Sequence, residues 1–335
     1  MRALLRRLGL LTLGLLLAIL LLEVGLRATG LAVRAQAGVF ALNESGTLGL
    51  RPCAQGQVRR PDGRVTTVAT DGLGLRSSRE CSPTPAADTL VIGDSQVFGL
   101  GVEADETFAA RLGALNGGVP DFAVVDALAW GSGLLARPEL AAVRRVVVVA
   151  NQSNDFDDGS VTSAARNVVR GGYLLRRDRL SHRAASLWST PLVHSALFYA
   201  IWRRTVLPPA DPPGAWLTDP ASVVPLATRL GEAVREFARL QPSRTVQLVW
   251  LPADLATSEE NARLSVLLPD GSPADLRLWE SAILREALAG GWQGPVVDLG
   301  PALTTTGSFL EHDYHLSERG HEAVAASLVS HTAGQ

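Results

Sequence analysis

The hydrophobic positions of this chain fall into three textures. The first is an unbroken run near the N-terminus, "LGLLTLGLLLAILLL" from Leu8 to Leu22, which resumes after Glu23 and continues to Leu26. It is apolar on every face, so it does not read as an amphipathic helix, and its length is near what a bilayer-spanning helix needs. Arg2, Arg6 and Arg7 precede it. Basic residues there favour a cytoplasmic N-terminus and export of the remainder, with Glu23 at the outer interface. The competing reading is a signal peptide cleaved at "AQA", Ala35 to Ala37, with the rest secreted. That site lies far from the end of the apolar core, so a single-pass anchor over residues 1–27 is preferred. No lipobox cysteine follows the run.

The second texture is a set of short apolar runs: Thr89–Ile92, Phe122–Ala127, Arg145–Ala150, Val246–Leu251 and Pro295–Leu299. "RVVVVA" is β-branched and apolar on both faces, as a central parallel strand should be. The third texture is helical spacing, found around Glu106–Leu115, Pro138–Val143, Ser222–Leu240, Pro273–Ala289 and Glu318–Ser330. Five strands alternating with helices predict an α/β, three-layer sandwich with a five-stranded parallel sheet.

Two stretches break the rhythm. Residues 28–87 carry turn signals ("PDG", Pro61 to Gly63; "TDGLG", Thr70 to Gly74) and little periodicity. They read as a juxtamembrane linker and short strands packed on a main domain over 88–335. Residues 157–220 are too long for a simple connection and read as a helical insertion able to cap the site. Its apolar side chains (Trp188, Leu192, Leu197, Phe198, Tyr199, Ile201, Trp202) suit a satellite core, with a membrane or partner contact as the alternative.

Composition narrows the function classes. The 335 residues carry a formal charge of −2 and 5% aromatics, so there is no basic field for nucleic acid. Histidines are scattered and no CxxC occurs, so neither a metal nor a cofactor is implied. The acid run Asp155, Asp157, Asp158 lacks the rest of a calcium loop. Cys53 and Cys81 both fall on the exported side, where an oxidising compartment lets them pair.

Sites in open α/β sheets form beyond the carboxyl ends of the strands. There the sequence places Gly93-Asp94-Ser95, then "WGSG" (Trp130 to Gly133), then "NQSNDFDD" (Asn151 to Asp158), then "EHDYHLSERGH" (Glu311 to His321). A serine, a glycine, an asparagine and an Asp/His pair are the inventory of acyl transfer: a nucleophile, a base with its orienting acid, and oxyanion donors. Asp94 and Asp155 read as loop-ordering residues, and His321, His182 and His194 as structural or surface residues.

These segments resemble, in order, the blocks of the SGNH (GDSL-type) hydrolase superfamily. "GDSQVFGLG" resembles block one, "DALAWGSG" block two, "NQSND" block three and "DYHLSERGH" block five. "TDGLGLRS" and the anchor ending "LEVGLR" resemble a bacterial membrane-anchored subgroup. The resemblance implies a flavodoxin-like fold and the following roles. Ser95 is the nucleophile, His315 the base and Asp313 its acid. The backbone N–H groups of Ser95 and Gly131 and the Asn154 amide hold the oxyanion. The family's usual acid position, three residues before the base, is occupied here by His312. Block two usually begins Asn-x-Gly, where this chain has Asp126-Ala127-Leu128. The expected activity is an exported, membrane-anchored esterase acting on an acyl ester, such as an O-acetyl group on a cell-envelope glycan or lipid. The alternatives are an O-acyltransferase using the same groups and a catalytically idle, membrane-tethered scaffold.

Overall fold

The structure is a computed structural model that describes residues 2–29, 33, 34, 36–42, 46–156, 162–177, 194–205, 219–265, 277–311 and 313–333. Helix α1 (Arg2–Ala28) contains the apolar run. Its stretch Leu5–Ala28 is long and apolar enough to cross a membrane and packs on no protein core. That is compatible with a single-pass anchor or a signal sequence.

The chain next forms a hairpin of β1 (Phe40–Leu42) and β2 (Leu48–Leu50). Three further strands follow: β3 (Gln55–Arg59), β4 (Val65–Thr70) and β5 (Arg76–Ser77). The predicted turns join them. Gly63, at φ +90°, lies in the β3–β4 turn, and Asp71 accepts the Leu73 and Leu75 N–H groups at 2.8 and 2.9 Å. Cys53 and Cys81 form a disulfide that closes this region over a separation of 28 residues. Closing such a loop stabilises by about 3–4 kcal/mol in the chain-entropy picture. Reduction is therefore expected to lower the thermal midpoint by roughly 5–10 °C. Melts with and without a phosphine reductant check this, and coincident curves contradict it.

The core strands are β6 (Thr89–Gly93), β7 (Leu115–Gly118) and β8 (Arg145–Asn151), joined later by β11 (Thr245–Leu251) and β12 (Val296–Asp298). The sheet order is β12-β11-β8-β6-β7-β5-β4-β3. Its five parallel strands thus run 2-1-3-4-5 in chain order, and β5, β4 and β3 extend the sheet antiparallel. Alternation along the strands gives each face its own core. Leu90 and Ile92 of β6 share a cluster with Val148 of β8 and Trp250 of β11. Packed on them are α4 (Val124–Leu135), α8 (Pro220–Arg239) and α10 (Leu278–Trp292). Val91, Val147 and Val249 face α3 (Phe108–Arg111) and α11 (Glu318–Ala333) through Phe108, Val324 and Leu328.

One expected strand is misplaced. Phe122–Ala127 runs into helix α4, and the second parallel strand is "LNGG", Leu115–Gly118. β-branched content made "FAVVDA" look extended, whereas two glycines hid the true strand. The glycine at 118 is a packing requirement, because a Cβ there would lie 2.2 Å from the Phe98 nitrogen.

The insertion also departs from the helical expectation. Within 157–220 the described parts are a turn of helix, α6 (Ser163–Arg166), a hairpin of β9 (Asn167–Arg170) and β10 (Tyr173–Arg176), and helix α7 (Ala196–Thr205). Gly171 and Gly172 make the hairpin turn, both at positive φ. Trp188, Leu192, His182, Asp157, Asp158 and the Pro-rich stretch lie outside the described residues. Helix α7 meets α1: Glu23 accepts the Ala196 and Leu197 N–H groups and the Ser195 hydroxyl, each at 2.9 Å.

Candidate active site

The switch point of the parallel order lies between β6 and β8. The loops that leave the carboxyl ends of these two strands diverge there and leave a crevice. β6 ends at Gly93, and Asp94 caps the four-residue helix α2 (Ser95–Phe98) by accepting the Gln96 N–H at 2.9 Å. A Cβ on residue 93 would meet Val97 at 2.5 Å, and Gly99 ends α2 in the left-handed region at φ +77°. These glycines make the tight exit that sets Ser95 at the sheet rim.

His315 reaches the same point from the loop before α11. Its Nε2 lies 2.8 Å from the Ser95 Oγ, and its Nδ1 lies 2.6 Å from Asp313 Oδ1. Ser95 and His315 are both buried, at 6% exposure. The acid found beside the base is therefore Asp313; His312 lies outside the described residues. Burial on its own would depress the His315 pKa, but the charge and hydrogen bond of Asp313, joined by the charges of Asp94 and Asp254, outweigh it, and the imidazole is raised from its ordinary value. Burial works against ionised Asp313 in turn, yet His315 holds it below its ordinary 3.8. Asp254, after β11, is pushed up to about 7, chiefly by burial, with the Asp313 charge adding to the rise.

A residue absent from the sequence expectations secures this loop. Gln96, next to the serine, donates through Nε2 to the Tyr314 carbonyl and accepts the Leu316 N–H, both at 2.9 Å. It grips the backbone on either side of His315. The signal was present in the sequence as the residue following "GDS", but its side chain faces a loop more than 200 positions away.

Asn154 sits on α5 (Gln152–Asp155) at the end of β8. Its amide donates to the Phe122 carbonyl at 2.8 Å and, at a longer 3.2 Å, to Asp94 Oδ2. Asp94 also accepts the Asn151 amide at 2.7 Å and is raised by burial. Asp155 accepts the N–H groups of Asn151 and Val124 at 2.6 and 2.9 Å, tying β8 to the start of α4. Burial and then the Asp94 charge push it well above the carboxylate range. His321 is buried, accepts the Phe108 N–H at 3.2 Å and is lowered by burial to about 3, so it stays neutral and structural.

Gly131 is not brought to the site. It lies inside α4, where a Cβ would meet Ile92 at 2.8 Å, so its role is packing against the sheet. The displaced strand is the cause: the loop leaving the true second strand is Val119-Pro120-Asp121. Pro120 and Asp121 line a cavity of 290 Å³ together with Ser95, Asn154 and His315. Asp121 takes a positive φ of +71°, and its carboxylate is held by Ser163 Oγ at 2.7 Å and by the Asn167 amide at 2.5 Å. Neither the Ser95 nor the Asp121 N–H has an internal acceptor among the described residues. Val39, Phe40, Phe98, Leu100 and Leu174 form the apolar wall. The linker after α1 and the β9–β10 hairpin thus wall the serine cavity; the insertion expected over the site reaches it as a hairpin, and the part played by the linker has no local signal. Among the described residues no group of three or more His, Cys, Asp or Glu side chains is placed to hold a metal ion.

No protein-family model and no curated protein matches this chain. Among solved structures it is similar to a protein described as a G-D-S-L family lipolytic protein from Desulfitobacterium hafniense DCB-2. That match has 14% identity and a TM-score of 0.35, covering 72% of this chain and 98% of the other. A second solved chain matches with 10% identity and a TM-score of 0.36, over 74% of this chain and 97% of its own. Likenesses this distant add nothing about chemistry. In the order of its motifs and in its mostly parallel α/β sheet, the chain resembles the SGNH (GDSL-type) hydrolases.

Proposed function

We propose that this protein is a membrane-anchored serine esterase whose described globular part faces an extracytoplasmic compartment. The observation that carries the reading is the Ser95–His315–Asp313 chain, with steps of 2.8 and 2.6 Å, opening into a partly apolar cavity of 290 Å³. With its Nδ1 proton directed at Asp313, the imidazole leaves Nε2 as an acceptor for the Ser95 hydroxyl. Ser95 Oγ attacks the acyl carbonyl carbon while Nε2 takes its proton. The tetrahedral oxyanion then collapses, and the alcohol departs with that proton from His315. A water molecule attacks the acyl-Ser95 ester, again giving its proton to Nε2, and the carboxylic acid leaves as Oγ is reprotonated. Asp313 holds the imidazole orientation and stabilises the imidazolium at each stage.

The oxyanion donors in this reading are the Ser95 N–H, the Asn154 amide and, in place of the Gly131 N–H, the N–H of Asp121. Asn154 joins by giving up its longer bond to Asp94. The apolar wall suits the acyl group, and the open side of the cavity leaves room for the alcohol. Passage of the acyl group to a sugar hydroxyl would use the same groups with a different acceptor. Anchoring through α1 accords with the arginines that precede it, and the Cys53–Cys81 bond accords with an oxidising compartment.

Turnover of 4-nitrophenyl acetate by the full chain in neutral detergent tests the proposal. The expected result is hydrolysis that Asn154→Ala lowers by about 10²–10³-fold, the usual effect of losing one oxyanion donor. A folded wild-type chain without turnover overturns it.

A further inference from the structure

The loop that carries the Asp121 N–H is held from the side of the insertion. Asp121 takes φ +71°, in the left-handed region that most side chains avoid and that Asp and Asn enter more readily. Such a backbone state persists where its surroundings over-determine it. Here they do. From α6 and its junction with β9, Ser163 Oγ donates to Asp121 Oδ2 at 2.7 Å, and the Asn167 amide donates to the same oxygen at 2.5 Å. Between them in sequence, Arg166 donates through Nη2 to the Asp121 carbonyl at 2.8 Å, and its guanidinium is 3.7 Å from the carboxylate. Side chains between Ser163 and Asn167 thus hold both the carboxylate and the carbonyl of one residue.

The clamp is itself anchored. The Asn167 amide also donates to the Ser163 carbonyl at 3.0 Å, and the Ser163 N–H is shared between the two carboxylate oxygens of Asp126 at 3.0 and 3.1 Å. Asp126 in turn accepts the Ala123 N–H at 3.1 Å, at the start of α4. Ser163 and Asn167 are both buried, so these bonds form away from competing water. On the other side of the loop, Pro120 fixes its own φ, and the Val119 N–H donates to the Gly93 carbonyl at 3.0 Å, at the end of β6. The Asp121 N–H therefore lies between groups that are fixed on both sides. The carbonyl of the next residue, Phe122, accepts the Asn154 amide at 2.8 Å. One loop thus sets two of the groups assigned to the oxyanion, its own N–H and that amide.

We propose that Ser163, Arg166 and Asn167 are positioning residues for the oxyanion site, acting through Asp121 rather than by contact with the reacting atoms. The insertion would then set kcat as well as wall the cavity. The proposal rests on the esterase reading and on the Asp121 N–H as an oxyanion donor. Asn167 also lines the serine cavity, so Ser163, fully buried, gives the cleaner variant.

The test places Ser163→Ala in two backgrounds, wild type and Asp121→Gly, and follows 4-nitrophenyl acetate turnover by the full chain in neutral detergent. Ser163→Ala keeps the N–H that Asp126 accepts and removes the oxygen that reaches Asp121. In the wild-type background it is expected to lower kcat by about 10-fold with KM within about twofold. Asn167→Leu is expected to lower kcat by about 10- to 100-fold, the scale of a small displacement at a reacting centre. Glycine adopts a positive φ without side-chain support. Asp121→Gly keeps the N–H and has no carboxylate to hold, so Ser163→Ala in that background is expected to change kcat by less than about twofold. Arg263→Gln, on the exposed side of helix α9 (Glu259–Leu264), is expected to leave kcat unchanged. Hydrogen exchange reads the loop without catalysis: the Val119, Phe122 and Ala123 amides are expected to exchange at least about tenfold faster in Ser163→Ala than in wild type. If Asn167→Leu fails to fold, Ser163→Ala decides. An equal loss of kcat in both backgrounds would make Ser163 a merely structural residue and overturn the proposal. Unchanged kcat or unchanged exchange in Ser163→Ala overturns the clamp alone and leaves the esterase standing. A folded wild type without turnover overturns the esterase reading and, with it, the catalytic meaning of the clamp.

Discussion

Ser95→Ala is expected to lower ester turnover by at least about 10⁴-fold, as loss of a catalytic nucleophile does in serine hydrolases generally. The substitution removes one oxygen, which is 2.8 Å from His315 Nε2. Asp94 caps α2 through the Gln96 N–H, not through the serine side chain, so the strand exit keeps its geometry. Gln96 continues to hold the loop around His315. The thermal midpoint should therefore stay within a few degrees of wild type while turnover collapses. Steady-state rates and melts on the same sample check both halves. Turnover within tenfold of wild type would remove Ser95 from the chemistry.

Asp313→Asn is expected to cost about 10³–10⁴-fold in kcat, in line with amide replacement of a triad acid. The pH profile supplies a second readout. His315 accepts a proton only when neutral, and Asp313 raises its pKa against the effect of burial. In the wild type the acid limb of kcat/KM is therefore expected at higher pH than an unperturbed imidazole would give. Without the carboxylate the largest raising influence is gone, only the Asp94 and Asp254 charges oppose burial, and the limb is expected to move to lower pH even as the rate falls. A merely structural role for Asp313 would lower the rate and leave the limb in place. The same pair contributes to stability with opposite signs. The raised pKa of His315 contributes stability that is full below about 6.5 and lost as pH rises through the folded value. The lowered pKa of Asp313 contributes stability present above 3.8 and lost as pH falls through its folded value.

The parts of the fold visible in the sequence were those in which local pattern and tertiary role agree. "RVVVVA" is a central strand because both its faces are buried, and its composition says so directly. Ser95 and His315 were legible because each follows or precedes an element whose end the pattern marks. "LNGG" was hidden because close packing on α2 demanded glycine, which weakens any strand signal. That one error carried Gly131 into the site and left Asp121 out. The β9–β10 hairpin had a local signal, Gly171-Gly172 between apolar runs, but the length of the stretch 157–220 suggested a helical insertion. The grip of Gln96 on the His315 loop and the linker wall are contacts between positions far apart in the chain. Local pattern does not encode such contacts.

The most direct measurement is the intact mass of the full chain after brief exposure to an activated acetyl ester, followed by peptide mapping. The expected result is one added acetyl group located on Ser95, absent from Ser95→Ala and from His315→Ala. A folded wild-type chain that gains no acetyl group, or gains it at another residue, would contradict the proposed esterase.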